Sequence, residues 1–150
     1  MVEKTPASLT PTEARYLKEL QRAVERGDSP TSVYLARRLG IKPPSAIDVL
    51  ERLEAKGLVR RAKWSEVRLT ARGERAAREL LHHHRVLEEF FMVQLGFSRE
   101  AACGEASRLD YWGSCRLVRA LCTLTGRPER CTHGRPLYHE SCGEVGGDEG

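Results

Sequence analysis

Three glycines, Gly27, Gly40 and Gly57, cut the first part of the chain into short segments, and this punctuation restricts the fold more than any other feature. The segment LTPTEARYLKELQRAVERG reads as a helix, with Thr10 or Thr12 as its cap and Pro11 in its first turn. Tyr16, Leu17, Leu20 and Val24 fall on one face of it. SVYLARRLG is a shorter helix with Val33, Leu35, Ala36 and Leu39 inward and Gly40 as its stop. After IKPP, SAIDVLERLEAKG predicts another, whose buried face is Ala46, Val49, Leu50 and Leu53. Two short helices joined by a tight turn, after a longer one, form a helix-turn-helix. LVRRAK and EVRLT then read as two extended runs around a turn near Trp64 and Ser65, which is a β-wing.

Charge gives this arrangement a use. Residues 1–78 carry 17 Lys/Arg against 10 Asp/Glu, a net +7, whereas residues 79–150 carry 8 against 11, a net −3. A basic winged helix suits double-stranded DNA, with the second helix of the pair in the major groove and wing cations on flanking phosphates. Ser45 and Asp48 lie near the start of that helix, where base edges are read, and Pro44 belongs to the same turn. Lys42 and Arg52 are placed to hold phosphates, as are Arg60, Arg61, Lys63 and Arg68 on the wing. The competing reading is a winged helix used only for protein contacts, since the fold hosts several functions.

From Ala71 a long helix is expected over ARGERAARELLHHHRVLEEFFMVQLG, followed by one or two more after Gly96. Its apolar positions Leu80, Leu81, Leu87, Phe90, Phe91 and Val93 exceed what one small domain needs, so pairing with a second copy is expected. Two copies present two reading helices about one DNA turn apart, which calls for an inverted-repeat operator. No apolar run approaches the ~20 residues of a membrane span, and MVEKTPASLT lacks the apolar stretch of a signal peptide. A cytoplasmic location and no membrane partner are expected, and with them reduced thiols.

Four of the five cysteines, Cys115, Cys122, Cys131 and Cys142, crowd into SCRLVRALCTLTGRPERCTHGRPLYHESC. Cys115 and Cys122 are seven residues apart, so on a continuous helix they project from one side. A tail folding back from Cys142 brings three or four sulfurs together, with His133 and His139 in reserve. Four thiolates suit tetrahedral Zn2+ or an iron–sulfur cluster, and the spacing does not separate the two. The plainer alternative is that Cys115 and Cys122 are small core residues. His82 and His83 read as solvated neighbours. An enzyme is not expected: the chain has no CxxC pair for thiol redox work and no nucleotide-binding loop.

The order of these pieces resembles the diphtheria-toxin-repressor family of metal-dependent transcriptional regulators. The resemblance runs from about Leu9 to Leu137 and rests on LERLEAKGLVRR, LTARGERAA, HRVLEEFF, GFSREAACGEASRLDY and LTGRPERCTHGRPL. It implies a homodimeric repressor, not an enzyme, governed by Fe2+, or by Mn2+ or Zn2+, bound between the reading head and the dimerisation helices. His84 and Glu88 match the family's HxxxE ligand pair, whose four-residue spacing puts both on one helix face. Cys103 falls where some members have a ligand histidine, and Asp110 where the family has an acidic ligand. Ser107, Tyr111 and Arg15 stand where members carry a cysteine or glutamate, a histidine, and a methionine or aspartate. The pattern C-x8-C-x-H-G-x-P-L is similar to the ending of a subset of the family, and these departures suggest that sensing has moved towards the thiols.

The expected architecture is mainly α. Residues 1–75 form a winged helix-turn-helix, residues 76–142 a helical dimerisation and metal-binding domain with a Cys-rich end, and residues 143–150 a flexible tail. No counterpart of the family's SH3-like third domain is expected.

Overall fold

A computed structural model describes residues 9–62 and 66–142, which divide into two compact units. One unit holds the described residues up to Arg78, the other those from Glu79 onward. Expectations placed on Lys63, on the wing turn at Trp64 and Ser65, and on the tail at 143–150 lie outside the described residues.

In the first unit, α1 (Pro11–Arg26), α2 (Ser32–Leu39) and α3 (Pro43–Ala55) are each ended by the chemistry their sequence offers. Thr10 caps α1 through a reciprocal box: its hydroxyl accepts from the Glu13 N–H at 3.1 Å, and the Glu13 carboxylate accepts from the Thr10 N–H at 3.0 Å. Gly27 closes α1 at φ 75°, left-handed backbone that a glycine adopts without steric cost. Pro43 and Pro44 form the first turn of α3, where their missing N–H groups cost nothing. The strands β1 (Val59–Arg61) and β2 (Val67–Leu69) pair antiparallel, with Arg60 opposite Arg68. The Val67 N–H donates to the Pro30 carbonyl at 2.8 Å, fixing the ribbon against the α1–α2 connection.

The core of this unit is Tyr16, Leu17 and Leu20 of α1, Leu35 and Ala36 of α2, and Ala46, Val49, Leu50 and Leu53 of α3. Two positions expected inward, Val24 and Val33, are exposed. Val24 lies in the last turn of its helix and Val33 in the first of its own, beyond the reach of the packed faces.

Glu13 joins the helices. Its side chain is buried, with Lys56 Nζ 2.6 Å from Oε2 and Arg52 Nε 3.3 Å from Oε1. Burial pushes its carboxyl up, but the hydrogen bonds from Lys56 and Thr10 and the charges of Lys56 and Arg52 outweigh that and hold it below its ordinary value. Glu19 plays a similar part between α1 and α2, taking Arg26 at 2.7 Å and Arg38 at 3.0 Å.

Helix α4 (Ala71–Leu95) opens on Thr70, whose hydroxyl accepts from the Gly73 N–H. Gly73 permits the close approach there, since a Cβ would stand 1.8 Å from the Leu58 carbonyl oxygen. In the second unit, α5 (Arg99–Leu109) and α6 (Cys115–Leu124) follow, capped by Ser98 and Ser114. Residues 125–138 return along α4 and end in a 3-10 turn, His139–Cys142. A small apolar core of Val86, Val118, Cys122, Cys131 and Leu137 holds this return in place.

Polar residues of α4 complete the seam. His82 Nδ1 lies 2.6 Å from the Leu137 carbonyl, Arg85 donates to the Pro136 carbonyl at 2.9 Å, and His133 Nδ1 sits 2.9 Å from Glu88 Oε1. Thr132 donates to Glu89 through both its N–H and its hydroxyl. Leu80, Leu81 and Leu87 are buried, while Phe90 and Phe91 are half-buried and Val93 is exposed.

The Glu13 tie predicts a pH-dependent loss. Glu13→Gln is expected to destabilise the chain by about 2 kcal/mol at neutral pH, the scale of a charge-assisted hydrogen bond. Because the folded carboxyl titrates below its ordinary value, this difference is present above the unfolded-state pKa and fades as pH falls through the folded one. Urea unfolding at neutral and acid pH checks both.

Candidate functional site

One face of α4 turns His84 and Glu88 inward, a helical turn apart, with His84 Nε2 3.1 Å from Glu88 Oε2. From α5, Cys103 brings its sulfur to 3.7 Å from the same ring nitrogen. The three ligand atoms lie within 4.8 Å of one another, and His84 and Glu88 are almost fully buried. Imidazole, carboxylate and thiolate at this separation form a donor set that fits a divalent transition metal rather than Mg2+ or Ca2+.

The surroundings hold these donors in aim. Asp110 Oδ2 lies 3.0 Å from His84 Nδ1, so the protonated Nδ1 donates to the carboxylate and Nε2 is left facing Cys103 and Glu88. Asp110, expected among the ligands, thus stands behind the ring as its orienting group. His133 Nδ1 stands 2.9 Å from the other oxygen of Glu88 and faces that carboxylate from the returning segment. Ser107 is exposed and Tyr111 half-buried, and neither belongs to the converging set.

A second convergence forms one residue earlier. His83 Nε2 is 3.1 Å from Cys142 Sγ and 3.4 Å from Cys115 Sγ, and its Nδ1 is 3.2 Å from the Asp110 carbonyl oxygen. His82 and His83, expected in solvent, are both buried, because the segment beyond Pro136 folds over them. A hydrogen bond from the Cys142 thiol, opposed by burial and reinforced by His83, pulls the Cys115 thiol down to about 4. The same hydrogen bond and burial push Cys142 up. His82 is pushed down to about 4, chiefly by burial, so it is a neutral imidazole donating to Leu137.

The four C-terminal thiols are therefore split. Cys115 and Cys142 meet at His83, whereas Cys122 and Cys131 are buried in the apolar core with Val86, Val118 and Leu137. The sulfur set of an iron–sulfur cluster is not assembled. His139, held in reserve as a ligand, spends Nε2 on the Pro128 carbonyl at 2.7 Å.

On the first unit, Lys42, Pro44, Ser45 and Asp48 are exposed at the start of α3, and Arg52 is exposed while paired to Glu13. Arg60 and Arg68 face each other across the ribbon and project from one side of it. Arg61 turns the other way, half-buried, with its N–H on Glu54 and its guanidinium 3.6 Å from Glu54 and 3.7 Å from Glu51. Sequence reasoning passed over Ile47, an exposed aliphatic residue between Ser45 and Asp48. Its signal was its place off the buried Ala46–Val49–Leu50–Leu53 face.

Comparison with known proteins decides the ancestry. The family model described as "Iron dependent repressor, N-terminal DNA binding domain" matches residues 8–67, and "Iron dependent repressor, metal binding and dimerisation domain" matches residues 70–139. The chain belongs to the iron-dependent repressor family. Among relatives in this family, the transcriptional regulator MntR of Escherichia coli O157:H7 is 38% identical over 79 residues, 53% of this chain and 50% of its own. The iron-dependent repressor IdeR of Mycobacterium tuberculosis is 27% identical over 129 residues, 86% of this chain and 56% of its own. A solved manganese-dependent transcriptional repressor in complex with manganese superposes with a TM-score of 0.77 at 32% identity, covering 83% of this chain and 57% of that one. The chain spans about half the length of the curated relatives it matches.

The orienting role of Asp110 gives a quantitative expectation. Asp110→Asn is expected to weaken Mn2+ or Fe2+ binding by about 10- to 100-fold, the usual effect of removing a residue that orients a ligand. Ser107→Ala should leave the affinity unchanged. Anaerobic calorimetry on the reduced chain measures both.

Proposed function

We propose that this chain is a metal-responsive, DNA-binding transcriptional repressor that acts as a homodimer on an inverted-repeat operator and is not an enzyme. The observation that carries the reading is the convergence of buried His84 and Glu88 with half-buried Cys103, in a chain whose other unit is a basic winged helix. His84, Glu88 and Cys103 would hold the ion, oriented by Asp110 and His133. When bound, the ion supplies free energy by linkage: it favours whichever arrangement holds it best, and so biases the one that grips DNA. Fe2+ is the proposed effector, since a thiolate in the set favours it over Mn2+ in the stability order of divalent ions. Sensing is assigned to this site rather than to a four-thiolate cluster, because Cys122 and Cys131 are committed to the core.

Affinity for DNA is assigned to Lys42, Arg52, Arg60 and Arg68 on phosphates, and preference to Pro44, Ser45, Asp48 and the added Ile47. Arg61 serves the fold first, through Glu51 and Glu54. Pairing of two copies is supported by Leu109, Trp112, Leu117 and Leu124, which leave apolar surface exposed on the second unit. Among the described residues no helix is long and apolar enough to cross a membrane, in keeping with a protein that meets DNA in the cytoplasm.

Anisotropy titrations of a labelled inverted-repeat duplex test the reading. Fe2+ is expected to tighten binding at least about tenfold, the middle of the usual coupling range. Glu88→Gln should remove that response while leaving metal-free binding intact, and Arg60→Ala should lower the salt slope by about 1. A chain that ignores DNA at low ionic strength both with and without Fe2+ would refute the proposal. In parallel, Trp112→Glu with Leu117→Glu should convert a dimer to a monomer in light scattering without altering metal affinity at His84.

A further inference from the structure

We propose that His83, Cys115 and Cys142 form a second metal site that takes Zn2+ in a tetrahedral arrangement and closes the C-terminal segment onto α4. The site shares no ligand with His84, Glu88 and Cys103, and it does not rest on the regulatory reading of that set.

Three elements distant in sequence deliver the donors: α4, the first residue of α6, and the last residue of the 3-10 turn. The spacing is that of a coordination shell. With Zn–N about 2.0–2.1 Å and Zn–S about 2.3 Å, the edge of a tetrahedron between the two atoms is about 3.5 Å. His83 Nε2 stands 3.4 Å from Cys115 and 3.1 Å from Cys142. The ring is already committed to the right tautomer, because Nδ1 faces the Asp110 carbonyl at 3.2 Å and leaves Nε2 for the metal. His83 is buried while both cysteines are half-buried, so the donors form a shielded wall with an entry. Glu79, whose Oε1 is 3.8 Å from Cys115 Sγ, or a water completes the four. Two thiolates and an imidazole make a softer set than imidazole, carboxylate and one thiolate, so the two sites sort ions by softness.

The test uses the full chain, reduced and stripped of metal, with Cys103→Ser removing the thiol of the other site. One equivalent of Co2+ is expected to give thiolate-to-cobalt charge transfer and the intense visible bands of tetrahedral cobalt, and Zn2+ should abolish both by displacement. Cys142→Ser, close to the described end of the chain and half-buried, should weaken the charge transfer by removing one of its two thiolates, Cys115→Ser/Cys142→Ser should remove it, and His83→Gln should weaken cobalt binding at least tenfold with Cys115 and Cys142 still present. A measurement without further substitution runs alongside. One equivalent of Zn2+ should slow alkylation of Cys115 and Cys142 at least tenfold, read cysteine by cysteine by peptide mass spectrometry. Absence of thiolate-to-cobalt absorption, its survival in Cys115→Ser/Cys142→Ser, or Zn2+ protection confined to Cys122 and Cys131 would overturn the proposal.

Discussion

The second unit depends on one arrangement: a run of polar side chains on α4, buried because a returning segment supplies their partners. His82, Arg85, Glu88 and Glu89 each meet a group from residues 132–137. None of these side chains is inexpensive to bury alone, since an unpartnered polar group loses its water without compensation. The segment in turn has little regular structure of its own and is held by Leu137 and Cys131 in the apolar core and by those polar contacts. Helix and segment are therefore mutually required, and His82 and His83 are buried with partners because the chain comes back.

Asp110 occupies a special place in this scheme. Its carboxylate faces His84 and its main-chain carbonyl faces His83, so one residue after α5 sets the ring orientation of two adjacent imidazoles. Consecutive positions on a helix point about 100° apart, and the two rings accordingly look into different surroundings. One finds a carboxylate and a thiol, the other two thiols. A single backbone position thus couples a harder donor set to a softer one.

What could be read from the residues was what is local. The capping box at Thr10 and Glu13, the stops at Gly27, Gly40 and Gly57, the start of α4 at Ala71 and the i,i+4 pairing of His84 with Glu88 all follow from neighbours along the chain. The errors are of long range. His83 carries no mark that separates it from His82 or from a solvated histidine run; its environment is set by Cys142, fifty-nine residues later. Cys115 and Cys122 share a helix side, yet one lies at the helix start beside His83 and the other faces the core. Arg61 looked like its wing neighbours until the ribbon's alternation turned it towards Glu51 and Glu54.

The carboxylate that staples α1 to α3 grips that second helix by Arg52 and Lys56, at its far end. The near end, from the paired prolines to Asp48, is braced by Ala46 alone and carries Ser45, Ile47 and Asp48 outward. Anchorage and display thus sit at opposite poles of one rod. Side chains at the display pole can be exchanged at little expense to folding, so, on the proposed reading of DNA, a handful of substitutions there would give descendants of this chain new target vocabularies while the scaffold stays as it is.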